Sequence, residues 1–161
     1  MQQEELFIVT IKENEGIIYK VSRMYTDTEE DQKDLFQDIV YQLWKSFNSF
    51  KGNAKRSTWM YRVALNTAIA YLNRSKKQIK QTSLDFSLQI AEEEIDTSFQ
   101  EKVDVLYIQI KQFSVVERGI ILLYLEGRSY EEIAAITGFT ETNVGTRLNR
   151  IKQKLKKTIK S

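Results

Sequence analysis

The side chains that could do chemistry in this chain are short polar and basic groups at helical spacing. The chemistry they suit is hydrogen bonding and charge pairing with a nucleic acid. They are densest in residues 129–157, SYEEIAAITGFTETNVGTRLNRIKQKLKK. There Thr142, Asn143 and Thr146 are small enough to approach base edges, while Arg147, Arg150 and Lys154 are cations suited to phosphates. The inventory also excludes a great deal. With no His and no Cys, thiolate nucleophiles, Cys/His zinc sites, Ser-His-Asp triads and disulfides are all ruled out. There is no Walker-type phosphate loop and no paired carboxylate set on a recognisable scaffold. The expectation is a protein that is not an enzyme and that uses no cofactor or metal.

Two short helices must hold those groups in place. Ser129 and Glu132 have capping-box spacing, which starts a helix by satisfying two orphan backbone donors. Ile133, Ala134 and Ile136 give that helix an apolar side, and Gly138 supplies the left-handed residue that ends it. Thr140 caps the next helix, where Val144, Leu148, Ile151 and Leu155 recur at steps of four, three and four. That stripe faces a core, and the Arg and Lys residues fall off it. Capping, turn and charge agree on a helix-turn-helix; the plainer alternative is an amphipathic hairpin with a solvated basic side.

The chain is 161 residues long and 42% hydrophobic, enough for one or two domains with buried cores. Its net charge of +2 is small, but the charge is segregated. Basic residues crowd positions 147–160, while Asp85, Glu92, Glu93, Glu94, Asp96, Glu101 and Asp104 make the middle acidic. The absence of Pro and the presence of only six Gly favour helices throughout. No apolar run approaches the ~20 residues that cross a bilayer, and the N-terminus lacks signal-peptide character, so a cytoplasmic protein without membrane insertion is expected.

Upstream, the periodicity predicts a helix over 4–24 with a bend or break at Gly16, and another over 30–48 with Leu35, Ile39, Leu43 and Phe47 inward. A loop around Gly52 and a helix over 58–74 follow, with Trp59, Val63, Ile69 and Leu72 partly buried. Trp44 and Trp59 read as core. Residues 75–99 read as a linker with a weakly apolar middle at Leu84, Phe86, Leu88 and Ile90. Helices resume near Glu101, break at Phe113 and restart at Ser114, which forms a second capping-box pair with Glu117. The fold class is all-α.

Residues 34–44, DLFQDIVYQLW, followed by residues 50–66, FKGNAKRSTWMYRVALN, resemble region 2 of the sigma-70 family. The C-terminal block resembles region 4, carrying Arg118, the pair Glu126 and Gly127, and the run Ser-Tyr-x-Glu-Ile-Ala over 129–134. An ordered pair of these two regions in so short a chain is similar to the extracytoplasmic-function (ECF) class. The resemblance implies two small helical domains joined by a flexible linker: residues 1–75 for core polymerase binding and minus-ten recognition and melting, 76–100 as linker, and 101–161 for minus-thirty-five recognition. It further implies core RNA polymerase, promoter DNA and an anti-sigma factor as partners.

By position, docking on the clamp helices of the polymerase's largest subunit falls to Asp34, Gln37, Asp38 and Gln42, with Trp44 nearby. Capture of an unstacked minus-ten base and of the open strand falls to Lys51, Asn53, Lys55, Arg56, Arg62, Asn66 and Arg74, with Tyr61, and less readily Trp59, able to stack on bases. The minus-thirty-five contacts fall to Thr142, Asn143, Thr146, Arg147, Arg150 and Lys154. Three departures stand out: Arg56 where the family's loop commonly has an aromatic, Ser114 in place of a frequent Pro, and Gly145 where Lys or Arg is frequent. The acidic linker, with Glu92, Glu93 and Glu94, is expected to repel stray duplex DNA. Two other classes are open to the residues: a stand-alone dimeric helix-turn-helix regulator reading a palindrome, and a helical adaptor that binds a partner through residues 30–48.

Overall fold

The computed structural model describes residues 2–50, 55–79 and 98–160. Lys51 and Asn53, the linker's acidic run and its apolar middle lie outside the described residues. Among the described residues there are eight α-helices and no strand: α1 (Gln2–Glu13), α2 (Glu15–Met24), α3 (Glu29–Ser46), α4 (Arg56–Ile79), α5 (Ser98–Ile110), α6 (Val115–Leu125), α7 (Tyr130–Thr137) and α8 (Glu141–Lys160), with a single 3-10 turn at Phe47–Ser49.

The first helix pair breaks at Asn14 rather than at Gly16. Asn14 donates from its side chain to the Thr10 carbonyl at 2.8 Å and from its backbone to Ile11 at 3.1 Å. Such local bonds compete with the helical ladder. Gly16 sits inside α2 with nothing near its missing side chain. α3 starts at Thr28, whose side chain accepts from the Asp31 amide at 3.1 Å, and Glu29, Glu30 and Asp31 complement the helix dipole in its first turn. Both predicted capping boxes are formed, Ser114 with Glu117 and Ser129 with Glu132.

Leu35, Ile39 and Leu43 are fully buried, and α4 meets them with Met60, Ala64, Leu65 and Ala68. The two alanines keep the helix axes close. α2 completes this core with Ile17, Ile18, Val21, Met24 and Tyr25. Each buried aliphatic contributes on the order of 2 kcal/mol of transfer free energy. The α3–α4 corner is closed by rings: Phe7 lies edge-on to Trp44 at 5.0 Å and to Phe47 at 5.3 Å, and Phe50 stacks on Trp59 at 5.0 Å. Trp59 is therefore core, as expected. Trp44 is not, for 41% of it is exposed on the outer side of the Phe7 ring.

α6, α7 and α8 form the second block. α6 ends in a Schellman arrangement, with the Arg128 amide donating to the Leu123 carbonyl at 3.0 Å and Gly127 at φ +79°. That geometry explains the Gly of the Glu126–Gly127 pair. α7 ends at Gly138, φ +88°, as its place in the sequence predicts. Arg118 ties the α5–α6 corner by donating to the carbonyls of Lys111 at 2.6 Å and Phe113 at 3.2 Å. The two blocks also pack against each other, with α7 on α4 and α6 on α2.

Candidate nucleic-acid and partner interfaces

The last helix of the second block is α8. Thr140 accepts from the Asn143 amide at 3.1 Å and so caps it, while Val144, Leu148 and Ile151 are buried and Leu155 is half-buried. With that stripe inward, the opposite side of a 3.6-residue helix is fixed. It carries Thr142, Thr146 and Arg150, all exposed, together with Asn149 and Gln153. The sequence reading missed the last two because it followed charge. The step pattern 142, 146, 149, 153 is the buried stripe's own rhythm displaced by half a turn, and that signal identifies them. Asn and Gln side chains can pair in bidentate fashion with adenine in the major groove.

Other residues assigned to this face are partly engaged. Arg147 donates to the Asn143 side chain at 2.8 Å and lies over the Phe139 ring at 4.4 Å, which orients both groups beside the ribbon rather than at its centre. Lys154 is turned toward α6, 3.9 Å from Glu117 and 5.9 Å from the centre of the Phe113 ring. Thr146 donates to the Thr142 carbonyl at 3.0 Å. At Gly145 a side chain would meet the Tyr130 ring at 3.4 Å, an ordinary contact.

The second basic surface begins at the N-terminus of α4. Lys55 and Arg56 are exposed there, and the first turn holds no acidic residue to balance the positive end of the helix. Such a helix start suits an anion, and among the described residues Glu132 of α7 lies near enough to Lys55 to interact with its charge. Lys55, Arg62 and Asn66, seven and four residues apart, share one side of α4 and are exposed. Phe50 stacks on Trp59 of the first turns of α4 at 5.0 Å. Arg62 is already occupied, donating to the Ala135 carbonyl of α7 at 2.6 Å. Tyr61 is not available for base stacking: it is 1% exposed and donates to Glu126 at 3.1 Å. Burial, followed by the neighbouring Glu126 charge, pushes its hydroxyl up to about 12, so it remains a donor. Arg74, far along the helix, reaches Asp38 at 3.3 Å.

The third surface is the outer side of α3. Asp34 and Gln37 are exposed, Asp38 is half-buried beside Arg74, and Gln42 is half-buried. Tyr41 and Trp44 extend the exposed ribbon at the same helical spacing, 55% and 41% exposed. The result is a helix face that is acidic at one end and aromatic at the other. The sequence reading names Trp44 beside the carboxylates and amides but not Tyr41, which the exposure of this ribbon adds. Among the described residues, no group of His, Cys, Asp and Glu could hold a metal ion, and no helix is long and apolar enough to cross a membrane.

Residues 10–78 match the family profile for Sigma-70 region 2, and residues 110–155 match that for Sigma-70, region 4. The chain is 27% identical over 148 residues to RNA polymerase sigma factor SigV of Bacillus subtilis, covering 90% of this chain and 86% of that one. To the ECF RNA polymerase sigma-E factor of Escherichia coli it is 28% identical over 136 residues, covering 76% and 71%. In fold it is similar to the sigma factor RpoE of Bartonella quintana, solved with the anti-sigma factor NepR, at a TM-score of 0.73, 17% identity and coverage of 98% and 96%. It is similar also to CnrH, solved with the cytosolic domain of CnrY, at a TM-score of 0.72, 17% identity and coverage of 98% and 89%.

Proposed function

The chain belongs to the ECF class of the sigma-70 family of RNA polymerase sigma factors, and from that premise we propose how its three surfaces divide promoter-specific initiation. The residues up to position 75 form the unit that binds core polymerase and opens the minus-ten element, 76–100 join the units, and 101–161 hold the minus-thirty-five element. The outer ribbon of α3 docks on core RNA polymerase through Asp34, Gln37, Asp38 and Gln42, with Tyr41 and Trp44 as apolar anchors beside the carboxylates. The loop after Phe50 and the Lys55, Arg56, Arg62, Asn66 and Arg74 surface take the displaced strand and an unstacked base. Thr142, Thr146, Asn149 and Arg150 enter the major groove, flanked by the Asn143–Arg147 pair and Lys154.

No covalent step is asked of this chain, and it works in the cytoplasm with the polymerase. Unstacking a base costs a few kcal/mol, and the binding free energy from two linked heads offsets that cost. An anti-sigma factor is the natural partner for such a chain, since both structural neighbours named above were solved with a bound partner.

The observation that carries this reading is the order of the two matched regions, each presenting a solvent-facing polar ribbon opposite a buried apolar stripe. The stand-alone dimeric regulator has no such support. The test mixes the purified chain with core RNA polymerase and a library of promoter fragments, and reads specific run-off transcripts. Transcripts are expected, and they should be lost when Asp34→Ala and Asp38→Ala are combined. A chain that neither co-purifies with core enzyme nor directs run-off sinks the reading.

A further inference from the structure

The two flanks of α8 are built differently. A helix with its side chains is about 10–12 Å across and the major groove about 12 Å wide, so a helix seated there brings both flanks near the sugar-phosphate walls. One flank carries Asn143, Arg147 and Lys154, the first two joined to each other and the third drawn toward Glu117. The other begins at Gly145, which has no side chain to offer, and by the same helical period runs on through Lys152 to Lys156.

Aromatic rings fill that second flank. The Tyr130 ring lies beside Gly145, 3.4 Å from where a Cβ would stand. Two turns farther along, the Lys152 ammonium sits over the Tyr124 ring, 4.5 Å from its centre. Hydrogen bonding to the Tyr124 hydroxyl holds that ammonium above the usual lysine range, and the Tyr130 hydroxyl acts in the same direction. Tyr124 lies in the last turn of α6 and Tyr130 opens α7, so two helices brace one side chain of a third. Both tyrosines stay at the surface, 39% and 38% exposed, which leaves the braced group within reach of a ligand. A phenol also orders an ammonium without cancelling its charge, whereas the Glu117 carboxylate beside Lys154 offsets part of that one.

We infer that Lys152 is a phosphate contact on the second flank of α8, and that Tyr124 with Tyr130 is the positioning pair that holds its ammonium at the groove wall. The inference rests on the reading above that α8 enters the major groove, and it adds to the outward ribbon a backbone anchor off that ribbon. Lysine is a flexible point charge, and ordering it costs part of what its contact gains. A side chain already ordered in the free protein escapes that cost.

The test follows fluorescence anisotropy of the full chain with two duplexes of equal length, one a fragment of the promoter library and one of mixed sequence, across salt concentrations. Lys152→Ala should weaken both by roughly five- to tenfold at 0.1 M salt and lower the salt slope by about 1, because a phosphate contact carries no sequence information. Lys152→Arg should keep the slope. Tyr124→Leu removes ring and hydroxyl together; it should cost about threefold with the slope intact, and nothing further in the Lys152→Ala background. A ring that served only to fold the second block would cost the same in both backgrounds.

An unchanged slope for Lys152→Ala overturns the phosphate contact. Equal losses from Tyr124→Leu in the two backgrounds overturn the positioning role. Run-off with core polymerase reads the functional proposal separately: a lowered slope without transcripts sinks that proposal alone, and transcripts with an unchanged slope sink the Lys152 contact alone.

Discussion

α8 and α4 are both long helices with basic residues along one side, yet only one of them presents its polar face freely. On α8 the buried stripe of Val144, Leu148 and Ile151 fixes an opposite ribbon of Thr142, Thr146, Asn149, Arg150 and Gln153 that is exposed throughout. On α4 the corresponding side is shared with the other block: Tyr61 is buried against Glu126 and Arg62 is held by Ala135. A recognition surface on a peripheral helix is a local property of that helix. One on a central helix depends on what else packs there.

The sharpest way to break the comparison is to remove what orients α8. Leu148→Ala deletes the centre of its stripe and should lower the unfolding free energy in urea by about 2–5 kcal/mol. A loss below about 1 kcal/mol would mean that the ribbon is not held by this stripe. Next in size are the two arginines. Arg150→Ala should weaken binding to duplex promoter DNA by about 1 kcal/mol and reduce the salt slope by about 1. Arg62→Ala should leave duplex binding unchanged or tighten it, because the residue touches α7 and not the groove. Equal losses at the two positions in a titration across salt concentrations would erase the distinction.

Much of the second block was legible in advance, since its signals are short-range. The two capping boxes, Thr140 as a cap, Gly138 in the left-handed region and the stripe of α8 are each decided within a few residues. Asn149 and Gln153 escaped only because charge was weighed above position on the helix. The first block was less legible. The break at Asn14 turns on a side chain bonding to Thr10, and Gly16 looked the better breaker on propensity alone. Trp44 was assigned to the core from its apolar bulk, but α1 offers it one ring and leaves the rest in solvent. No local pattern announces that Tyr61 and Arg62 meet the second block, because their partners lie 65 and 73 residues away.

Gly145 tests the comparison in the opposite direction. It costs α8 about 1 kcal/mol relative to Ala, and the room beside Tyr130 is enough for a methyl group. Gly145→Ala should therefore raise the melting temperature of the chain while leaving duplex affinity nearly unchanged, since the outward ribbon does not include this position. A fall in stability would show that the Tyr130 ring must lie flat on the helix backbone.

The smallest effect belongs to the ion pair between α2 and α5. The Arg23 guanidinium beside Asp104 holds its carboxyl below the usual aspartate range. A carboxylate with a depressed folded-state value contributes stability above its unfolded value, near pH 4, and that contribution is lost as the pH falls through the lowered one. Acidification below about pH 4 should therefore loosen the contact between α2 and α5. Because Asp104 is partly exposed, the effect should be no more than about 1 kcal/mol and should shrink in high salt. Asp104→Asn removes the titrating group, so the difference in the pH dependence of unfolding between it and the parent chain isolates this pair. Identical pH profiles would mean that the Arg23–Asp104 pair contributes nothing to holding α5 on α2.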